Sequence, residues 1–164
     1  MKTIIILAIA VIGTAALPNP YVTKSASQQM GQRIAAALQE ESREAFTTLF
    51  PTLQEFHKIM DENSNLYGEN LNDAKEEFAL RYTNEIAPSV KQSFNDLIRE
   101  GIEKGIDWST VTYERVEYKA PKYNLDTTPF VVVIKTKGRE YRINFEKAFV
   151  LHGEWKVSSE IKLI

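Results

Sequence analysis

The sequence contains no cysteine among its 164 residues. This absence excludes a disulfide-stapled scaffold, a thiol nucleophile, a zinc–cysteine site and a lipid-modified N-terminal cysteine. Its two histidines, His57 and His152, lie too far apart along the chain for their spacing to define a metal site. With only seven glycines, the sequence has neither a Gly-x-Ser-x-Gly motif nor a glycine-rich phosphate loop. We therefore predict no metal, no cofactor and no nucleotide-dependent chemistry.

The sequence also lacks a net charge of either sign. Its 20 Lys and Arg residues nearly balance 22 Asp and Glu residues, for a net charge of -2. Without a basic field, no nucleic-acid partner is expected. The content of 43% hydrophobic and 26% charged residues is typical of a folded domain, and the length corresponds to one domain.

The N-terminus has the layout of a secretory signal peptide over residues 1–16. Lys2 supplies the positive charge, and Ile4–Ile12 is an unbroken apolar run. Small residues follow, so cleavage is expected after Ala15 or Ala16. The alternative is a membrane anchor, but the apolar segment is shorter than the about 20 residues that a spanning helix needs. Contact with a membrane is expected only through an uncleaved signal segment.

The predicted location is therefore the bacterial periplasm or the cell exterior. No Asn-x-Ser/Thr glycosylation acceptor occurs in the sequence, so nothing favours a eukaryotic secretory origin. Two prolines and no periodicity mark residues 17–24 as a linker. Residues 25–164 are predicted to form a single α+β domain.

The first half of this domain shows helical periodicity. The Ser25–Gln28 segment has a capping-box pattern, and apolar residues at helical spacing run from Ile34 to Leu49. Pro51 ends this helix, and a second capping box at Thr52–Glu55 begins a short one. A polar loop is expected over residues 61–70.

A long helical stretch follows over Leu71–Ile102. Pro88 lies inside it and predicts a kink or two helices that meet there. Gly105 is a natural C-terminal stop for the helix. After this glycine the hydrophobic period changes from that of a helix to that of a strand.

The second half predicts an antiparallel meander of four strands. A phase slip at Glu114–Arg115 indicates a β-bulge in the first strand. The second strand, over residues 130–136, is apolar on both faces, and the third runs over residues 141–151. The last strand is expected over residues 155–163. Helices that precede a bent sheet predict an α+β fold in which the helices cover the concave face.

Three segments carry a resemblance to a known superfamily. They are Gly105–Trp108 before the first strand, Lys137–Phe145 in the central hairpin, and His152–Val157, which contains a Gly-x-Trp-Lys pattern. Together with the order of elements, they resemble the nuclear transport factor 2-like, or cystatin-like, superfamily from about Ser25 to the end. Many bacterial exported members of this kind have no assigned activity. The superfamily includes isomerases, dehydratases and plain binding or assembly modules, so the resemblance leaves function open.

This resemblance implies a cone-shaped pocket between the helices and the concave sheet. Polar and aromatic side chains there could orient a small apolar ligand, and five candidates follow: His57, Tyr82, Tyr113, Tyr141 and Trp155. The alternative is that the rings form the core. For the histidine, the alternative is a half-buried side chain bonded to a backbone carbonyl, to Glu55 or to Asp61.

Three functions remain open from the sequence. The first is an exported, non-catalytic binding protein, with a small apolar molecule in the cone or an envelope protein on the sheet. The second is a cofactor-free isomerase or hydrolase with His57 or a buried carboxylate as base. No catalytic residue is assigned, because Glu85 and Asp96 on the long helix lie off its apolar stripe. The third is a homodimer whose sheet face is the interface.

The basic residues of the second half gather around one hairpin. Lys135, Lys137, Arg139 and Arg142 bracket it. They could dock an acidic partner or a lipid head group. The alternative is that they solvate the sheet and discourage aggregation at its edges.

Overall fold

A computed structural model describes residues 24–121, 126–158 and 160–164. The predicted signal peptide and all but the last residue of the predicted linker lie outside these residues. Within these residues, five α-helices come first and five strands follow. The helices are α1 Lys24–Gln39, α2 Arg43–Thr47, α3 Leu53–Glu62, α4 Leu71–Arg81 and α5 Ala87–Glu103. The strands are β1 Thr112–Tyr118, β2 Thr128–Thr136, β3 Arg139–Leu151, β4 Glu154–Val157 and β5 Ile161–Leu163.

The first apolar stripe forms two helices, which corrects the prediction of one. The chain leaves α1 at Glu41, whose φ of 48° lies in the left-handed region. Ser42 then caps α2, because its side chain accepts a hydrogen bond from the Ala45 N–H. At the other end, the Ser25–Gln28 pattern is not a cap, since the chain is already helical at Lys24.

The second predicted cap is confirmed. Thr52 and Glu55 form a complete capping box at the start of α3. The predicted loop over residues 61–70 is partly wrong, because α3 continues to Glu62 and two short 3-10 turns follow at Ser64–Leu66 and Gly68–Asn70. Polar residues at these positions solvate the turns without preventing helical hydrogen bonds.

Two helices meet in front of Pro88, as predicted. A single π-helical turn, Tyr82–Ile86, joins α4 to α5. Pro88 has no N–H to donate to the Asn84 carbonyl, and its ring would collide with that carbonyl in a regular helix. A widened turn relieves both problems.

The end of α5 is fixed by glycine and tryptophan. The helix stops before Gly105, whose φ is 82°, and the Ile106 N–H bonds back to the Gly101 carbonyl at 2.8 Å. The indole of Trp108 lies where a Cβ atom on Gly101 would point, and it donates from Nε1 to the Ile98 carbonyl at 3.0 Å. The strand half is therefore attached to α5 at a defined position.

The sheet is an antiparallel meander in the order β1-β2-β3-β4, and β5 also pairs with β3. The predicted last strand is thus two strands, β4 and β5, because β3 is long enough to pair with both in succession. The β-bulge is confirmed. Tyr113 pairs with Ile134 and Arg115 with Val133, which leaves Glu114 as the extra residue.

The core lies between the curled sheet and the helices. At its closest approach, Gly31 of α1 faces the side chains of Tyr113 and Val116. The bulge turns both of these side chains to the same face of β1. This arrangement confirms the predicted α+β fold, with helices on the concave face of a bent antiparallel sheet.

Candidate functional site

The concave face, where the resemblance implies a pocket, is occupied by the protein's own side chains. Ile34 and Phe46 from the helices pack in one continuous core with Ile134 and Phe145 of the sheet, and all four side chains have no exposed surface. Phe46 lies 6.5 Å from Phe145 between ring centroids, which places a helix directly on the sheet. Most of the predicted cone is therefore core.

The five predicted ligand-binding residues are not gathered at one place. Tyr113 and Tyr141 flank Ile134, since each pairs with it from a neighbouring strand. Trp155 pairs with Val150, nine residues further along β3 than Tyr141. At about 3.4 Å per residue, that is roughly 30 Å of strand. The remaining two, His57 and Tyr82, lie on α3 and the π-helical turn.

Trp155 lies inside an aromatic group at one end of the sheet. Its ring is 5.1 Å from that of Tyr118 in an edge-on arrangement and 5.2 Å from that of Phe130. Its Nε1 atom is buried and has no hydrogen-bond partner among the described residues. An indole N–H normally finds a partner when it is buried.

The two tyrosines beside Ile134 pack against the core, and both are half-buried. Burial raises the pKa of the Tyr113 hydroxyl, and the backbone of Val116 offsets part of that rise. The same hydroxyl has no hydrogen bond of normal geometry to any described residue. Tyr113 and Tyr141 thus contribute ring area to the core.

His57 is half-buried on α3. Its Nε2 atom is buried and has no hydrogen-bond partner in the part of the chain that the structure describes. The two carboxylates considered as its partners are engaged elsewhere. Glu55 bonds to Lys156, and Asp61 bonds to Lys75 at 2.5 Å. His57 is therefore not part of a carboxylate–histidine pair.

A polar cluster that the sequence did not reveal lies between α3 and β4. It consists of Glu55, Lys156 and Tyr82. The Lys156 Nζ atom lies 2.9 Å from a Glu55 carboxylate oxygen, and the Tyr82 hydroxyl donates to the Pro51 carbonyl at 3.1 Å. The capping-box pattern in the sequence places Glu55 at the start of α3. Nothing in the alternation of residues along β4 indicates that Lys156 is buried.

The protonation states of this cluster favour a structural role. Burial by itself raises the pKa of Glu55, but hydrogen bonds from the Thr52 backbone and from Lys156 outweigh it, so the pKa lies below its usual value. Burial, and then the charge of Glu55, raise the pKa of the Tyr82 hydroxyl. An ionised carboxylate with its oxygens occupied and a protonated phenol are poorly suited to proton transfer near neutral pH. The cluster instead fastens α3 to β4.

Two carboxyl groups, those of Glu146 and Glu160, interact where β3 meets the start of β5. The hydrogen bond with Glu146, and then burial, raise the pKa of Glu160, while the same hydrogen bond and Lys162 lower the pKa of Glu146. One proton shared between two carboxyl groups explains the opposite shifts. Glu160 is nevertheless half-exposed at the sheet edge rather than enclosed in a cavity.

The outer face of the sheet carries paired charges. Arg115 of β1 reaches Glu140 of β3 at 3.1 Å, and Arg142 of β3 bonds to Glu117 of β1. These pairs cross over Val133 of β2, whose side chain is fully buried. Charges that neutralise one another across the sheet leave a weak field on this face.

Two residues of the predicted basic hairpin take part in ion pairs. Arg142 belongs to the outer-face pairs, and Lys137 lies 3.3 Å from Asp107. Ion pairing within the chain accounts for part of the hairpin charge. The fit of this hairpin to an acidic partner stays a prediction.

An open groove lies on the outer side of α5. Its volume is about 370 Å³, and it lies between α5 and the turn after α1. We call its apolar lining residues, Phe94, Ile98 and Ile102, the floor. We call its polar lining residues, Glu41, Asn95, Arg99 and Glu103, the rim. This volume is at the low end of the range for ligand sites, about 300–1,000 Å³.

Within the described residues, no group of three or more His, Cys, Asp or Glu side chains is placed to hold a metal ion. None of the helices in the described ranges combines the length and apolar character needed to cross a membrane.

Comparison with known proteins identifies the fold. No family model matches the chain, and no curated protein matches it. A solved structure is similar, that of a cystatin-like protein from Ruminococcus gnavus ATCC 29149, with a TM-score of 0.53. The chain has a cystatin-like fold. The superposition covers 85% of this chain and 45% of the other, so the chain spans less than half of that protein's length.

The likeness confirms the nuclear transport factor 2-like, or cystatin-like, fold expected from the sequence. At 15% sequence identity it carries the fold alone. The function therefore has to be argued from the surfaces and cavities of this chain.

Proposed function

We propose that the chain is an exported, non-catalytic binding protein that engages a protein partner through its outer surface. One observation carries the proposal: the concave face, which would hold a small ligand, is packed with the chain's own core side chains, such as Phe46 and Phe145. A filled interior leaves the exterior as the place where binding occurs.

The chemistry of the described interior supports a non-catalytic role. Its buried polar residues are Ser27, Thr128, Thr136 and Lys156. The lysine ammonium pairs with the Glu55 carboxylate at 2.9 Å, so both groups are engaged with each other. An enzyme of the isomerase type needs a carboxyl group or an imidazole facing a cavity with a suitable pKa. A loss of turnover on substitution of His57, at unchanged stability, would restore the enzymatic alternative.

The export part of the proposal rests on the sequence. The charge at Lys2, the apolar run Ile4–Ile12 and the small residues before Leu17 give the order of a signal peptide. N-terminal sequencing of protein recovered from the cell envelope tests this. A first residue at position 16 or 17 is expected, and an intact Met1 would contradict cleavage.

Native mass spectrometry of protein purified gently from its own envelope tests the binding proposal. We expect either the bare mature chain or a stoichiometric complex with another protein. A discrete, removable mass the size of a small molecule would overturn the proposal, because it would place a ligand inside the fold. A clean dimer would replace the partner with a second copy of the chain.

A small apolar ligand remains the second candidate because of Trp155. Its buried Nε1–H has no partner among the described residues, so a ligand with a hydrogen-bond acceptor would satisfy it. Trp155→Phe tests this directly. If a small-molecule mass is found and Trp155→Phe removes it, the interior is the binding site.

A further inference from the structure

We propose that the groove on α5 binds a cationic amphipathic segment of a protein partner. This inference rests on the proposed function, since it names the surface and the chemistry of the partner. The groove is an open concavity on the described surface, and its floor and rim differ in character. Floor and rim together point to one class of occupant.

The floor of the groove is an apolar stripe along one helix. Phe94, Ile98 and Ile102 follow one another at intervals of four residues, so they lie in a row on α5. Phe94 is buried and its ring lies 5.1 Å from that of Phe46, which ties the floor to the core. Ile102, in contrast, is 60% exposed. The stripe thus rises from the core to an exposed isoleucine.

The rim of the groove carries negative charge that is not neutralised locally. Glu41 and Glu103 have no ion-pair partner among the described residues. Two basic side chains of this region are engaged elsewhere, since Arg99 lies 2.6 Å from Asp96 and Lys104 lies 2.9 Å from Glu100. A groove lined by an apolar row and by two carboxylates without ion-pair partners matches a segment that carries both apolar side chains and Lys or Arg.

Charge favours this occupant over a second copy of the chain. Residues 25–104 hold 14 acidic and 8 basic residues, a net charge of 8 − 14 = -6. Two copies that met through their α5 grooves would bring two acidic surfaces together and would repel each other. An anionic lipid surface is disfavoured for the same reason.

Two synthetic peptides provide the first test. One is a short peptide of leucine, alanine and lysine, with its leucines on one helical face, and the other has glutamate in place of each lysine. Titration calorimetry on the mature protein at low ionic strength is expected to detect the lysine peptide only. Equal binding of both peptides, or of neither, would overturn the proposal.

Matched variants locate the site. Ile102→Asn is expected to weaken binding of the lysine peptide at least about tenfold, because it removes the exposed end of the stripe. The control is Leu80→Asn on α4, where the leucine is 66% exposed and outside the groove. Leu80→Asn should leave the affinity within about twofold. Equal losses in the two variants would contradict a specific groove.

The rim charges need a separate pair of variants. Glu41→Gln combined with Glu103→Gln should reduce the affinity and the salt dependence of binding. The control, Glu76→Gln combined with Glu77→Gln, removes two exposed carboxylates from α4 instead. If both double variants behave alike, the peptide senses only the overall charge, and the proposal fails.

Failure here is distinguishable from failure of the proposed function. A small-molecule mass in the envelope-purified protein overturns exterior binding whatever the peptides do. A bare mass or a protein complex, combined with no effect of Ile102→Asn, leaves exterior binding in place and removes only the groove. Sedimentation measures the oligomeric state of the wild-type protein and of Ile102→Asn. If the wild-type protein is a dimer and Ile102→Asn is a monomer, the groove binds a second copy of the chain and the proposal of a cationic partner is wrong.

Discussion

The Lys156 Nζ atom lies 2.9 Å from the Glu55 carboxylate and joins β4 to the first turn of α3. The lysine side chain is only 8% exposed and the glutamate side chain 27% exposed. The same carboxylate accepts a hydrogen bond from the Thr52 N–H at 2.8 Å. Glu55 therefore both caps α3 and attaches that helix to β4 of the sheet.

Removal of the cation from this pair should destabilise the fold. Lys156→Met keeps most of the side chain's volume but leaves Glu55 with a partly buried charge that has lost its partner, at a cost of about 2 kcal/mol. The control is Lys162→Met, at an exposed lysine paired with Glu146, which should change stability far less because solvent screens an exposed pair. Urea unfolding measures both, and equal losses would show that the position of the pair is unimportant.

Acid should weaken the same attachment. Glu55 has a lowered pKa in the folded chain, so its contribution to stability is complete above the unfolded value, about 4.3, and is lost as the pH falls through the folded pKa. The stability difference between the wild-type chain and Glu55→Gln should therefore be largest above about pH 5 and shrink below about pH 4. Urea titrations across this range measure it, with the exposed Glu76→Gln as control. A difference that grows on acidification would contradict a lowered pKa.

Two tyrosines should respond differently to loss of the hydroxyl group. Tyr82→Phe removes a hydrogen bond to the Pro51 carbonyl and should cost about 1 kcal/mol. Tyr113→Phe removes a buried hydroxyl that lacks a hydrogen bond of normal geometry, so stability should change by less than about 0.5 kcal/mol or increase. Thermal and urea unfolding compare the two. A larger loss for Tyr113→Phe would show that the hydroxyl is hydrogen-bonded, with the Val116 backbone as the nearest candidate.

Gly101 is required by the close approach of Trp108. A Cβ atom at position 101 would lie 2.1 Å from Cζ2 of the indole, so Gly101→Ala should cost about 2 kcal/mol despite alanine's higher helix propensity. Asn95→Ala, at an exposed position of the same helix, should be neutral or stabilising. Trp108→Leu should be less harmful in the Gly101→Ala background than alone, because the smaller side chain removes the collision. Additive effects would rule out this contact.

Much of the fold could be predicted because it depends on local signals. The Thr52–Glu55 capping box, the helix interruption at Pro88 and the bulge at Glu114 each follow from a few neighbouring residues. The prediction of one helix over the apolar stripe from Ile34 to Leu49 is wrong. The residues of α1 and α2 share a core, so their apolar spacing continues across the turn at Glu41. The prediction of one last strand over residues 155–163 is wrong for a similar reason, since β4 and β5 both pair with the long strand β3.

The candidate site was harder to predict because it depends on contacts between distant segments. Tyr82, Tyr113 and Trp155 were expected to share a pocket, yet they lie in separate parts of the structure, and whether they bind a ligand stays a prediction. The ion pair of Glu55 with Lys156 joins residues 101 positions apart (156 − 55 = 101), and nothing in the local sequence around either of them specifies the other.

The sequence by itself determined the order of helices and strands, the main breaks between them and the α+β class, because capping, proline sterics and hydrophobic period act over a few residues. Only the tertiary structure decided which aromatic rings fill the concave face and which carboxylates stay unpaired on the surface. Ile102 follows the helical spacing of a core residue in the sequence, yet in the fold it is exposed and lines an open groove. Burial depends on what the rest of the chain places against a side chain, and the local pattern contains no record of that.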